Sequence, residues 1–270
     1  MMNEGTLSAD TLQDLLNIFG KNINDFLDKN YHPDYELFYR GQSDVDWPPM
    51  SALMREEYHT KNNGKAGLYV FEDDMIKHVM KHFPNEFTDL LPFQTLSKLQ
   101  HYGLPTRLLD ITRNLFIAAY FACHDDNKEK INANGAIYLF YGKPLQPDND
   151  LVKKFSALCF VQADAPTYGQ SFIINPDYDN PRIKAQEGAF ILERDPNEVK
   201  KLLVDIKIVI PSKRKKYILS QLNLIGINYQ SLFPELSSMT RAAKDLYIQK
   251  IFDEIENVTL TATVNGVAGG

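Results

Sequence analysis

Cysteine and tryptophan are scarce in this chain: Cys123, Cys159 and Trp47 are the only ones in 270 residues. The two cysteines stand far apart, without the spacing of a metal site, which argues against a disulfide-stapled scaffold and for free thiols in a reducing compartment. Long apolar runs are also missing. None approaches the 18 residues of a membrane span. The first ten residues, MMNEGTLSAD, carry neither a basic nor an apolar leader region. A cytoplasmic protein without membrane contact is therefore expected. Positive charge is in deficit too, with 29 Lys and Arg against 35 Asp and Glu, a net charge of -6 and a pI near 5.5. That balance excludes a generic, charge-driven nucleic-acid binder. The one dense basic run, Lys213 to Lys216, reads as a solvated helix start or as a local patch. P-loop, dinucleotide-fold, zincin and hydrolase-elbow motifs are absent. His78 and His82 stand four apart on one helix, a two-ligand spacing with no obvious third ligand, so surface histidines are the simpler reading and no metal is expected.

With 44% hydrophobic residues, a chain of this length can bury roughly three-quarters of its unfolded surface. A single α+β domain is expected, with a small mixed or antiparallel sheet flanked by helices. Leu12, Leu15, Leu16 and Phe19 predict a helix from Ser8 to Asp28, capped by Ser8 or Asp10. Residues 35–40 read as an aromatic strand ending at Gly41, and 50–58 as a short helix followed by a loop at 62–64. A helix over 68–82 carries the stripe Phe71, Met75, Val79 and Phe83. Residues 93–101 read as a helix, 102–105 as a turn, and 115–124 as a buried helix capped by Asn114. The polar loop 125–134 precedes a strand at 136–141. The stretch 142–185 has little pattern and reads as a long surface excursion. Strands follow at 188–193 and 204–210, then helices at 211–224 and 238–257. The expected division is a helical segment over 1–34, the main domain over 35–258 and a flexible tail over 259–270.

Three stretches gather chemistry. In Phe38-Tyr39-Arg40-Gly41-Gln42, an arginine ends an apolar strand at a sheet rim. Arg40 can grip phosphate or carboxylate with its fork of donors, or form a structural ion pair. Gly41 would let a ligand approach the backbone. In the stretch from Gln100 to Asp110, the polar groups of His101, Tyr102, Thr106, Arg107 and Asp110 crowd a turn. They must satisfy one another, as an Arg107–Asp110 pair would, or meet a ligand. In Arg182-Ile183-Lys184-Ala185-Gln186-Glu187-Gly188, strand alternation allows only one of Gln186 and Glu187 to face a given cleft. Glu187 could serve as an acid–base or electrostatic carboxylate, or be an ordinary exposed strand residue.

These residues together resemble the FRG domain family. The resemblance rests on FYRGQSDVDW, LQHYGLPTRLLDITRNLFIAAYFA, RIKAQEGAF and IVIPSKRKKYILSQLNLIGINYQSLFPEL, in order across roughly residues 37–240. The chain departs from the family pattern at Ile111, where Trp is common, and at Ser237-Ser238, which replaces Asp-Gly. More distantly, the order of an aromatic-Arg-Gly strand, a polar turn and a late Gln-Glu strand is similar to ADP-ribosyltransferases. That resemblance implies NAD as substrate, with Arg40, Gly41 and Gln42 at its phosphates or ribose. His101, Tyr102, Thr106 and Arg107 would shape the pocket, with Glu187 as the catalytic carboxylate. In FRG-like sequences the residue at position 187 varies between a regular Gln and Gly. Asp110 is therefore the second catalytic candidate, with Gln186 as a binding group. The class implied is a toxin of a toxin–antitoxin or phage-defence module. It would modify RNA, DNA or a protein acceptor and be paired with an antitoxin protein. The alternative is a non-catalytic nucleotide- or nucleic-acid-binding module.

Overall fold

The computed structural model describes residues 6–55, 67–125, 132–160, 171–177, 180–193, 196–240, 242–244 and 247–248. Thr6–Ser8 is a short strand, β1, where leucine spacing predicts the start of a helix. The helix begins only at Leu12. Its cap is Thr11, whose hydroxyl accepts the Asp14 N–H at 3.1 Å. It runs as α1 (Leu12–Ile18), a π turn (Phe19–Ile23) and α2 (Asn24–Asn30). Strand β2 covers Glu36–Gln42. Residues 51–55 form a turn instead of the expected helix. The rest of that helix, and the loop at 62–64, lie outside the described residues.

Helix α3 (Gly67–His82) matches its expected span. Ile76 is fully buried and Val79 of the expected stripe packs on the same cluster, while Phe83 is largely exposed. Helix α4 (Pro92–His101) starts with proline at its first position, where the missing N–H costs nothing. Strand β3 (Leu108–Thr112) was not expected. It leads into α5 (Leu115–Cys123), whose cap Asn114 accepts from Phe116 N–H at 3.0 Å and Ile117 N–H at 3.3 Å. Strand β4 is Gly135–Gly142. The stretch read as a surface excursion holds β5 (Pro144–Leu145), α6 (Asp150–Ala157), β6 (Phe172–Ile174) and α7 (Pro181–Ala185). Strand β7 (Gly188–Leu192), α8 (Pro196–Leu202), β8 (Leu203–Ile210), α9 (Lys215–Leu224) and α10 (Tyr229–Leu232) follow. Most of the last expected helix, and the tail at 259–270, lie outside the described residues.

The strands form one eight-stranded sheet in the order β1-β8-β4-β2-β3-β7-β6-β5. The fold is α+β, and the sheet is mixed as expected but larger. The two edge pairs, β1–β8 and β5–β6, are parallel, and the pairs between them are antiparallel. Side chains alternate between the faces. Tyr39 packs with Ala118, Ile137 and Leu139 under α5. Phe38 packs on the opposite face with Leu109, Ile111 and Phe140. A third cluster joins α3, α4 and α6 to Phe190 and Leu192.

Helix α5 is apolar all round, and Leu115, Ile117, Ala118, Ala119, Tyr120, Ala122 and Cys123 are buried. It lies directly on the sheet. A Cβ at Gly41 would stand 1.8 Å from the Ala118 carbonyl oxygen, and one at Gly135 would stand 2.1 Å from that of Ala122. Both glycines are therefore required by the approach of the helix. For Gly41 this replaces the reading that the missing side chain admits a ligand.

Candidate functional site

Strands β2 and β3 are neighbours but pair only at Tyr39 and Thr112. β2 is fully laddered to β4 on its other side, and β3 to β7. Beyond the single bridge, a side chain replaces the ladder. The Arg40 guanidinium donates from Nη1 to the Asp110 carbonyl oxygen at 2.6 Å and from Nε to Gln42 Oε1 at 2.9 Å. Burial pulls the Arg40 pKa down to about 10, against the opposing charge of Asp110. The group is still a cation at neutral pH.

A cavity of about 260 Å³ opens where the two strands part. Its walls come from β2 (Tyr39, Arg40, Gly41), α4 (Ser97, Gln100, His101), β3 (Asp110, Ile111, Thr112), α5 (Phe121), α7 with its following turn (Arg182, Ile183, Gln186), and β7 (Gly188, Ala189, Phe190). A neighbouring hollow of about 360 Å³ shares Ser97, His101 and Ile183 with it. Tyr102, Lys98, Gln94 and Asp177 border that hollow.

Asp110 is the exposed residue of an otherwise buried β3. Its Oδ1 accepts from Gln100 Nε2 at 2.9 Å. Gln100 is held in turn by Thr106, whose hydroxyl donates to Gln100 Oε1 and accepts the Leu108 N–H at 3.2 Å. Tyr39 is 4% exposed, and its hydroxyl makes no hydrogen bond with any described residue. Desolvation raises its pKa, so it stays a neutral phenol. Arg182 stacks on Phe233, with its guanidinium carbon 4.6 Å from the ring centre.

The structure brings together only part of the expected site. Arg40, Gly41, His101, Asp110 and Gln186 line the cavity. Tyr102, 77% exposed, belongs to the neighbouring hollow. Gln42 is buried and donates to the Trp47 carbonyl at 2.8 Å, pinning the loop after β2. Thr106 is buried beneath the cavity and acts on it only through Gln100. Arg107 is not paired with Asp110. Its Nε donates to Glu72 Oε2 at 2.5 Å in a buried ion pair that ties α3 to the start of β3.

Glu187 is also outside the cavity. It adopts a left-handed backbone conformation, φ 45°, unusual for a residue with a side chain. That twist breaks the strand alternation and aims the carboxylate at α5, where Oε1 accepts from Asn114 Nδ2 at 2.8 Å. Its carbonyl accepts the Arg113 N–H at 3.1 Å. Gln186 takes the inward position instead. Its Nε2 donates to the Leu232 carbonyl at 3.1 Å, and its own carbonyl accepts from Thr112 Oγ1 at 2.7 Å.

Some lining residues were absent from the expected set. Arg182 stands four residues before Gln186, which puts the two on one helical face. That spacing was the available signal. Phe121 and Gln100 lay inside the stretch already marked, without a local cue to their direction. Glu235, in the segment Phe233-Pro234-Glu235-Leu236, brings Oε1 within 3.9 Å of His101 Nε2. That oxygen is buried and has no hydrogen-bond partner.

Two of the four basic side chains in the 213–216 run are engaged within the fold, while Lys213 and Lys216 are exposed. Lys215 is buried and donates to the Ser43 carbonyl at 2.6 Å. Arg214 donates to the Asp10 carbonyl at 3.0 Å and stacks on Tyr217. The His78 and His82 rings lie 4.7 Å apart. Among the described residues no group of three or more His, Cys, Asp and Glu side chains could hold a metal, and no helix is long and apolar enough to cross a membrane.

Comparison with known families bears on the same residues. The family model described as the FRG domain matches residues 35–131. Residues 35–131 therefore carry the resemblance to an FRG domain. The matched span runs from β2 through α5 and includes the parted strands, Gln100 and Asp110. The FRG match ends before Arg182, Gln186 and β7, which complete the cavity. No curated protein and no solved structure matches the chain.

Proposed function

We propose that this protein is an ADP-ribosyltransferase-like toxin that consumes NAD in the cytoplasm, with Asp110 as its carboxylate. The observation that carries the reading is Asp110 itself. It is an exposed carboxylate fixed by Gln100 on the floor of a cavity that also holds two arginines, Tyr39 and an aromatic wall. The adjoining hollow supports a two-part ligand, because the two spaces meet at Ser97 and His101. Together they fall within the size range of small-molecule sites.

The reaction breaks the C–N bond between ribose and nicotinamide. The bonding pair leaves with nicotinamide, and positive charge develops on the ribose. A carboxylate at Asp110 stabilises that charge and can take the proton of the attacking hydroxyl, amine or water. The acceptor is a nucleic acid or a protein. Arg214 and Lys215 of the 213–216 run are engaged within the fold, so the run gives little support for preferring a nucleic acid. An antitoxin protein is the partner expected of such a module.

Two observations favour a second reading, a non-catalytic nucleotide-binding module. Glu187 points out of the cavity, and Arg40 is committed to protein acceptors. Incubation of the purified chain with labelled NAD and a panel of RNA, DNA and proteins separates the two. Release of nicotinamide or transfer of label, lost in Asp110→Asn, supports the enzyme. NAD binding without either supports the module.

A further inference from the structure

Two guanidinium groups line the cavity, and their bonding differs. Arg40 spends Nε and Nη1 on Gln42 and on the Asp110 carbonyl. Arg182 makes no side-chain hydrogen bond and no ion pair with any described residue, although it is half-buried. Its one partner is the face of Phe233, 4.6 Å from the guanidinium carbon. Phe233 is itself fixed by a stacked Tyr229 ring, 4.6 Å between centres, and by the edge of Phe121. Stacking holds the plane of a guanidinium and leaves its edge donors free. A held cation with free donors facing a concave space is suited to an oxyanion. Tyr39, 4% exposed, lines the same cavity.

We propose that Arg182, rather than Arg40, binds the phosphate of the nucleotide in this cavity. The inference rests on the nucleotide reading of the site. Arg182 lies outside the stretch matched to the family and supplies the anion recognition which that stretch lacks. Arg40 instead keeps β2 and β3 joined.

Calorimetric titration of the full chain with ADP-ribose, adenosine and inorganic phosphate tests this. The wild type is expected to prefer ADP-ribose to adenosine, with a preference that shrinks as salt rises. Arg182→Ala is expected to weaken ADP-ribose binding roughly ten- to a hundredfold and leave adenosine binding unchanged. Arg182→Lys restores only part of the loss, because lysine offers charge without the fork. Unchanged melting of each variant shows that the fold is intact. The proposal is overturned by wild-type ADP-ribose affinity in Arg182→Ala, by an equal loss for adenosine, or by inorganic phosphate binding as tightly as ADP-ribose. NAD cleavage, measured in parallel, separates the two ideas. Cleavage with an unchanged KM in Arg182→Ala removes the assignment of Arg182 and keeps the enzyme. Arg182-dependent ADP-ribose binding without cleavage keeps the assignment and removes the enzyme.

Discussion

Gln100 Nε2 donates to Asp110 Oδ1 at 2.9 Å, and the direction of that bond is set from beneath the cavity. The Leu108 N–H occupies an acceptor site on the Thr106 hydroxyl, so the hydroxyl proton goes to Gln100 Oε1. The amide of Gln100 can then present only its NH₂ to Asp110. A backbone group of β3 thereby orients the Gln100 amide that grips Asp110, two residues along the same strand.

Replacing Gln100 by Leu breaks this chain at both ends. The Thr106 hydroxyl loses its acceptor and Asp110 loses its donor. A loss of about 1–2 kcal/mol of stability is expected, measurable by urea denaturation. An unchanged midpoint would show that the chain of bonds adds nothing.

Gly41→Ala tests the seat of α5. The new methyl would meet the Ala118 carbonyl oxygen at 1.8 Å and the Ala122 nitrogen at 2.7 Å, both backbone atoms that cannot swing aside. The expected cost is about 3 kcal/mol or more, seen as a large fall in Tm or as insoluble protein. Gly20→Ala is the control, since nothing lies within 4 Å of the added atom, and it is expected to be neutral or stabilising.

Arg107→Ala should act on stability and not on ligand affinity. It removes the guanidinium that meets the buried Glu72 carboxylate at 2.5 Å, and breaking a buried pair costs about 3–5 kcal/mol in comparable cases. Chemical denaturation and ADP-ribose titration of the folded fraction check the two halves. A selective loss of affinity at full stability would return Arg107 to the binding site.

Much of the scaffold was legible locally. Asn114 marks the start of α5, proline marks the start of α4, and the apolar runs of β4 and β8 fall where the structure has them. Strand β3 was not legible. Leu108–Thr112 is short, sits between a turn and a helix, and becomes a strand only by pairing with β7, about eighty residues away in sequence. The partner of Arg107 was equally remote, since Glu72 lies on a separate helix. Glu187 was misplaced for a different reason. Alternation assumes extended backbone, and the positive φ at that residue turns its carboxylate to Asn114. Asp110 and Gln186, the second choice for carboxylate and binding group, are the pair that the fold brings to one cavity.

Glu193 gives the protein a pH signature. The carboxyl is fully buried, and desolvation raises its pKa, opposed by the Ser51 hydrogen bonds and by the charges of Arg40 and Arg55. A raised carboxyl pKa means that the fold binds the proton more tightly than the unfolded chain does. The stability this contributes is full below the unfolded value, about 4.3, and is lost as pH rises through the folded value. Glu193→Gln keeps an acceptor for the Ser51 N–H, 2.6 Å away in the wild type, and removes that loss. The stability of the variant relative to wild type should therefore rise from pH 4 to pH 7 in denaturation series. A difference that falls over that range would reverse the assignment.

The central claim is that Asp110 is the carboxylate of an NAD-consuming site and that Glu187 is not. The most direct test is the rate of nicotinamide release from NAD by wild type, Asp110→Asn and Glu187→Gln, each checked for folding. The account predicts release by wild type, a fall of about a hundredfold or more in Asp110→Asn, and a near-wild-type rate in Glu187→Gln. Release that survives Asp110→Asn and disappears in Glu187→Gln, or no release by wild type, would contradict it.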